Sequence, residues 1–241
     1  MNKDLFGNET EEKLADVQRP FERLVSPLTQ TFNEDCMVVM ARYPDKYFDL
    51  AVVDPPYGIG ADKKNSGLKL QSKHSATVNK DYGSQKWDDE IPNEIYFCEL
   101  MRVSKEQIVW GANYYGLIGG MIYWRKNVTM PTYSRGEIAY CSKINRVDEF
   151  EYTWHGMLQG NMKDKEERIH PTQKPVALYD WIFKNYAERG QKILDTHLGS
   201  GSSRIAAYKA GLDFTGCELD KDYFEAQEAR FKIFVSQQTL F

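Results

Sequence analysis

A chain of 241 residues with 41% apolar and 27% charged side chains can bury one sizeable core. Its mean hydropathy of −0.60 is that of an ordinary soluble protein, which excludes a membrane-embedded or disordered one. No apolar run approaches the roughly 18 residues of a membrane span. The acidic amino terminus, MNKDLFGNETEEKLADVQ, has no apolar centre and is unlike a signal or transit peptide, so a cytoplasmic protein is expected. A net charge of −4 gives no bulk attraction for nucleic acid, and any such contact must be local. Cys36, Cys98, Cys141 and Cys217 show no CxxC or Cys/His ligand spacing. Reduced thiols and no metal site are the expectation.

Residues 1–30 are charge-rich and weakly patterned, an amino-terminal extension that breaks at Ser26-Pro27. Thr31–Asp35 reads as a short strand and Cys36–Tyr43 as a short helix. Phe48–Val53 is an almost continuous apolar run, the pattern of a parallel strand buried on both faces. It stops at Asp54-Pro55-Pro56-Tyr57-Gly58. Residues 59–90 are lysine-rich without periodicity and read as a long mobile loop of functional length. A helix over Ile91–Val103 follows, then strands at Gln107–Trp110, Gly120–Trp124 and Glu137–Ser142. Residues 143–170 are polar and read as irregular. His170-Pro171-Thr172-Gln173-Lys174-Pro175 leads into a helix ending at Tyr186. Lys192–Asp195 is a strand, Ser202–Ala210 a helix stopped by Gly211, Asp213–Cys217 a strand, and Asp220–Phe234 a closing helix. No internal repeat or low-complexity segment is found.

An acid at the carboxyl end of a buried parallel strand stands where open α/β sheets bind ligands. Alone, Asp-Pro-Pro is an ordinary strand-ending turn. Here the prolines remove two N–H donors and leave the Pro55 carbonyl to accept beside the Asp54 carboxylate. Two acceptors suit a substrate amino group, which donates two hydrogen bonds. Tyr57 adds a flat face for stacking a planar base. Farther on, Gly199 and Gly201 follow one strand and open a helix. Glu218 ends the next strand 17 residues after Gly201, close to the roughly 20 expected of a ribose-binding acid. This is a Rossmann-type half suited to an adenosine cofactor. Arg204 stands where a dinucleotide site wants its third glycine, which disfavours a nicotinamide dinucleotide.

The segments FDLAVVDPPYG, HPTQKP and ILDTHLGSGSS…FTGCELD, in that order, resemble an S-adenosylmethionine-dependent DNA amino-methyltransferase of the adenine-N6/cytosine-N4 family. The resemblance is to the permuted class, with the DPPY segment ahead of the cofactor segment, and covers roughly Thr31–Arg230. It implies a Rossmann-like class I methyltransferase fold of the α/β class. That fold has a mostly parallel seven-stranded sheet, helices on both faces and a small target-recognition insertion. It also implies one methyltransferase domain over 31–241, with target recognition in 126–168. Asp54 and the carbonyl of Pro55, with Pro56 fixing the turn, would hold the target amino group, and Tyr57 would stack on the base. Asp195, Thr196, His197, Gly199, Gly201 and Ser202 would wall the S-adenosylmethionine pocket, Glu218 would bind its ribose, and Thr172 and Lys174 would close over its methionine end. The family usually has Pro-Phe where this chain has Thr196-His197, so either His197 packs against the cofactor as an aromatic substitute or the pocket is weakened.

The implied reaction is direct methyl transfer to an exocyclic amino nitrogen of a base flipped from double-stranded DNA. Carbon-5 cytosine methylation is excluded, because no cysteine follows a proline. The DNA contacts expected are Lys63, Lys64, Lys69 and Lys73 in the loop, then Arg125 and Lys126. Adenine is preferred to cytosine because cytosine-N4 relatives more often carry Ser at the Asp54 position. A cytosine-N4 enzyme and a non-catalytic DNA-binding subunit of the same fold are the alternatives. An RNA or protein-glutamine methyltransferase fits less well, because it usually places the cofactor segment first. A homodimer is compatible with the sequence, no obligatory protein partner is evident, and the size suits an orphan or restriction–modification enzyme of a bacterium or phage.

Overall fold

The computed structural model describes residues 26–60, 88, 90–128, 134–155 and 157–238. Their centre is a sheet of eight strands. In chain order these are β1 (Thr29–Phe32), β2 (Phe48–Val53), β3 (Ser104–Trp110), β4 (Gly120–Arg125), β5 (Gly136–Cys141), β6 (Val147–Glu151), β9 (Lys192–Asp195) and β10 (Asp213–Cys217). The small strands β7 (Trp154–His155) and β8 (Leu158–Gln159) pair apart from it. The helices are α1 (Cys36–Met40), α2 (Glu94–Val103), α3 (Ala112–Tyr115), α4 (Val176–Tyr186), α5 (Ser202–Ala210) and α6 (Lys221–Gln238). No helix among the described residues is long and apolar enough to cross a membrane.

The sheet order is β1-β10-β9-β2-β3-β5-β4-β6, and β5 alone runs against the other strands. Eight strands thus stand where seven are expected. The additional one comes from the stretch 143–170 that reads as irregular. Its edge strand β6 is Val-Asp-Glu-Phe-Glu, with only Phe150 packed against the core, so almost no apolar signal marks it. Elsewhere the expected elements stand in the expected order with boundaries moved: β1 is Thr29–Phe32 and not Thr31–Asp35, β3 starts directly at the end of α2, and α6 runs to Gln238; the one-turn helix α3 is an addition.

The apolar runs of the central strands follow from burial on both faces. Leu50 and Val52 of β2, Ile108 and Trp110 of β3, and Ile193 of β9 join one core with Leu178, Ile182 and Phe183 of α4 and Ala206 and Ala207 of α5. Ala51, Val53, Val109 and Leu194 point the other way, into a core closed by Met40, Tyr96 and Leu100. This is the strand alternation expected of a sheet sandwiched between helices. The stop after α5 is Gly211 in the left-handed conformation (φ +70°), as its position predicts.

From β9 the chain crosses through α5 to β10 on one side, whereas from β2 it passes by way of α2 to β3 on the other. The adjacent strands β9 and β2 are therefore the topological switch point, where a crevice opens at the carboxyl ends. Asp195 ends β9 and Asp54 follows β2, so both acids stand at that crevice. Arg204 is buried on the other side of the turn, pairing with Glu228 at 2.6 Å and donating to Thr29 Oγ1 at 2.9 Å. It stitches α5 to α6 and β1.

Leu178 is fully buried where α4 packs on α5. Leu178→Ala is expected to lower stability by about 2–5 kcal/mol, read from the midpoint shift in urea unfolding at unchanged slope.

Candidate active site

The Asp54–Gly58 turn is held from three sides. Asp88 Oδ1 accepts the backbone N–H of Tyr57 at 2.6 Å and of Gly58 at 2.9 Å. The Tyr115 hydroxyl donates to the carbonyl oxygens of Pro55 (2.7 Å) and Pro56 (2.8 Å). The Tyr57 ring stacks on Tyr114, with centroids 4.9 Å apart and planes 16° from parallel. Its edge lies where a Cβ on Gly111 would come within 2.4 Å, and Gly111 has φ +78°. A glycine is thus required at 111 by close approach as well as by backbone conformation.

The Pro55 carbonyl, expected to be free, is engaged by Tyr115. One of its two lone pairs remains, since a carbonyl oxygen can accept twice. Asp54 Oδ1 accepts from the Tyr57 hydroxyl at 2.6 Å, and Oδ2 is paired with the ammonium of Lys174. Burial pushes the Asp54 carboxyl above its usual range, and the pull of Lys174 offsets this only in part.

On one side of Asp54 lies a cavity of about 700 Å³. Thr172, Lys174, Thr196, His197, Gly199, Ser202 and Glu218, expected around a cofactor, all line this one cavity. Asp195 and Gly201 stand behind the wall. Asp195 braces the turn, accepting from His197 N at 3.0 Å and Ser203 Oγ at 2.5 Å, and burial raises its carboxyl to about 7. Glu218 is held by the backbone N–H groups of Gly199 (2.8 Å) and Asp220 (3.0 Å), leaving carboxylate lone pairs to accept from a ligand. The His197 ring meets Tyr96 edge-on at 5.5 Å, and its Nδ1 is 2.9 Å from Thr196 Oγ1. Burial drops its pKa to about 4, so it serves as a neutral aromatic wall. The sequence reading missed Asp35, His170 and Tyr223, which also line this cavity. His170 packs edge-on against Tyr223 at 4.2 Å. Its presence in the HPTQKP segment was the available signal.

A second cavity of about 310 Å³ lies on the other side, lined among others by Trp124, Lys126, Glu137, Trp154 and Tyr57. The two cavities share Asp54, Pro56, Thr172, Gln173 and Lys174. Through their junction runs a buried row of alternating charge: Asp54, Lys174, Glu137, Lys126. Burial pushes Glu137 up, but Lys174 and Lys126 overcome it and hold the carboxyl down at about 2. Burial likewise pushes Lys174 down, and its two carboxylate neighbours more than restore it, so it stays protonated. Glu137 has no sequence signal, because nothing in a strand pattern shows which of its polar residues faces a cavity.

Of the residues expected at DNA, Lys63, Lys64, Lys69 and Lys73 lie outside the described residues, as does most of the 59–90 loop. Arg125 is on the surface, paired with Glu149 at 2.9 Å. Lys126 is a correction: its ammonium turns inward onto Glu137 and lies 4.6 Å from the Trp124 ring centre. Its side chain is only 16% exposed, because it supplies the second of two cations, beside Lys174, to the Glu137 carboxylate. Trp154 is buried and donates to the Gln173 carbonyl at 2.7 Å.

Residues 121–229 match the family model described as DNA methylase. The chain is 25% identical over 216 residues to the putative methylase YubD of Escherichia coli (strain K12), covering 84% of this chain and 90% of that protein. It is 22% identical over 240 residues to the type II methyltransferase M2.MboI of Moraxella bovis, covering 83% and 86% respectively. In fold it is similar to PvuII DNA methyltransferase, described as cytosine-N4-specific, with a TM-score of 0.56 at 12% identity over 86% of this chain and 87% of that one. It is also similar to the M1.HpyAVI–SAM complex, with a TM-score of 0.51 at 18% identity over 84% of this chain and 100% of that one.

Gly111→Ala is expected to cost about 1–3 kcal/mol in chemical unfolding, because the new methyl meets the Tyr57 ring in a backbone conformation that disfavours it. His197 has a folded-state pKa of about 4, below the ordinary 6.5. Its contribution to stability is whole above pH 6.5 and is lost as the pH falls from 6.5 toward 4, where the unfolded chain takes up a proton that the folded one refuses. Stability curves of wild type and His197→Phe should therefore diverge over that window, with the variant losing less.

Proposed function

We propose, from the premise that this chain is a DNA methyltransferase of the adenine-N6/cytosine-N4 family, that it methylates the exocyclic N6 of an adenine flipped out of duplex DNA. The observation that carries the proposal is the meeting of two cavities at Asp54. The larger suits S-adenosylmethionine: Glu218 offers acceptors for ribose hydroxyls, Gly199 keeps the wall free of a side chain, and His197 and Tyr223 give apolar ring surface. The smaller is walled by aromatic rings and polar groups suited to one base. The cofactor, when bound, supplies a methyl group on a positively charged sulfur.

Asp54 then does the work at the nitrogen. In the free base the amino lone pair is delocalised into the ring, which makes it a poor nucleophile. Accepting one amino hydrogen at Asp54 and another at the remaining lone pair of the Pro55 carbonyl favours a pyramidal nitrogen with its lone pair directed across the junction. As the N–C bond forms and the S–C bond breaks, positive charge grows on the nitrogen, opposite the Asp54 carboxylate. The amino group loses one proton, and Asp54 is placed to receive it and pass it to solvent. Tyr57 orients Asp54 through its hydroxyl.

Adenine is favoured by the aspartate at position 54, where cytosine-N4 enzymes more often carry serine. Recognition of a short DNA site is assigned to 126–168, and phosphate contacts to Lys63, Lys64, Lys69, Lys73 and Arg125. Incubation with methyl-labelled S-adenosylmethionine and mixed-sequence duplex DNA should put label into N6-methyladenine. Asp54→Ala should reduce this at least 1,000-fold while leaving cofactor affinity within about threefold, the size expected when the group that positions and stabilises the transition state is lost. Label in N4-methylcytosine would overturn the base assignment. Glu218→Ala should instead weaken cofactor binding about tenfold or more.

A further inference from the structure

We propose that Lys174 occupies the place of the target amino group on Asp54, and shifts to Glu137 as the base enters. Lys174 and Glu137 would thus form a positioning pair for methyl transfer. This rests on the amino-methyltransferase reading above.

The Lys174 ammonium carries N–H donors, as an amino group does, and it is paired with Asp54 Oδ2 while the Tyr57 hydroxyl takes Oδ1. Both carboxylate oxygens therefore already have a partner. A lysine that stayed there would also hold a full positive charge beside a nitrogen that becomes positive during transfer, which opposes the reaction. The ammonium has to withdraw, yet it cannot withdraw to water. Its side chain is 5% exposed and flanked by the rings of Trp110 (5.5 Å) and Tyr57 (5.6 Å). A buried charge moves only to another buried partner of opposite sign.

Glu137 supplies that partner. Its Oε2 is buried and already ion-paired with Lys174 Nζ at 3.2 Å, without a well-aligned hydrogen bond, so it has acceptor capacity to take the ammonium over. Its other oxygen is tied to Lys126, and the residue sits on β5 between β3 and β4, so the acceptor is fixed. The backbone that carries Lys174 is fixed as well. Gln173 accepts from Trp154 Nε1 at 2.7 Å through its carbonyl and from Ile169 N at 3.0 Å through its side chain. Rotation about the end of the lysine side chain is then sufficient. The net charge of the cluster, two carboxylates against two ammonium groups, is unchanged by the move.

The test compares wild type, Glu137→Gln and the double variant Glu137→Gln/Lys174→Met. It measures methyl transfer to mixed-sequence duplex DNA at saturating S-adenosylmethionine, cofactor affinity and thermal melting. Glu137→Gln takes away the refuge and leaves the lysine on Asp54. Its kcat is expected to fall at least tenfold, with cofactor affinity within about threefold of wild type. Adding Lys174→Met frees Asp54 and should recover at least threefold of that loss. A wild-type kcat in Glu137→Gln, or a double variant no faster than the single one, overturns the proposal while wild-type methylation upholds the function. A loss explained by matched falls in melting temperature and cofactor affinity is a structural role and also overturns it. Should Glu137→Gln not fold, Glu137→Asp keeps the charge and draws the acceptor back. An unchanged kcat there overturns the proposal, and a fall of threefold or more at unchanged cofactor affinity supports it. Absence of label in DNA with wild-type protein removes the amino-methyltransferase reading and the proposal with it.

Discussion

A protonated lysine held out of water needs a carboxylate within reach, and the junction of the two cavities places two of them there. Lys174 reaches the junction from the segment before α4, Asp54 from the end of β2, and Glu137 from β5. Three separate parts of the chain must therefore be in register before the charge is satisfied. Removing either carboxylate leaves a buried cation underpaired, which is among the more costly changes a protein can suffer. The fourth member, Lys126, extends the same logic to the far side of Glu137 and accounts for a basic residue turned away from solvent.

The sheet explains why these groups meet. Parallel strands β9 and β2 send the chain away in opposite directions, so their carboxyl ends carry turns that diverge and leave a crevice. The turn after β9 is built for compactness, with Asp195 gathering backbone and side-chain donors behind the wall. The turn after β2 is rich in acceptors and poor in donors, with two prolines lacking N–H groups and carbonyls taken up by Tyr115. Asp88 and Tyr115 then hold that turn from opposite sides, one through its N–H groups and one through its carbonyls. Such bracing keeps a short, donor-poor loop in one conformation.

The sequence by itself determined the strand–turn–helix–strand order, because apolar runs buried on two faces and left-handed glycines leave local marks that need no tertiary context. It also determined the acids at the ends of β2 and β10 and most of the wall of the larger cavity, since those residues cluster in three contiguous segments. Tertiary structure alone decided the rest. Edge strand β6 has one packed aromatic among acids, so its pairing is set by its neighbour β4 rather than by its own pattern. The inward turn of Lys126 and the position of Glu137 depend on which face of the β4–β5 pair meets α4 and the HPTQKP segment, and periodicity does not encode that. Lys174 was legible as a site residue, but its partner was not. Whether a long cation reaches toward a ligand or toward a carboxylate 120 positions away is settled by where the chain brings opposite charges together out of water.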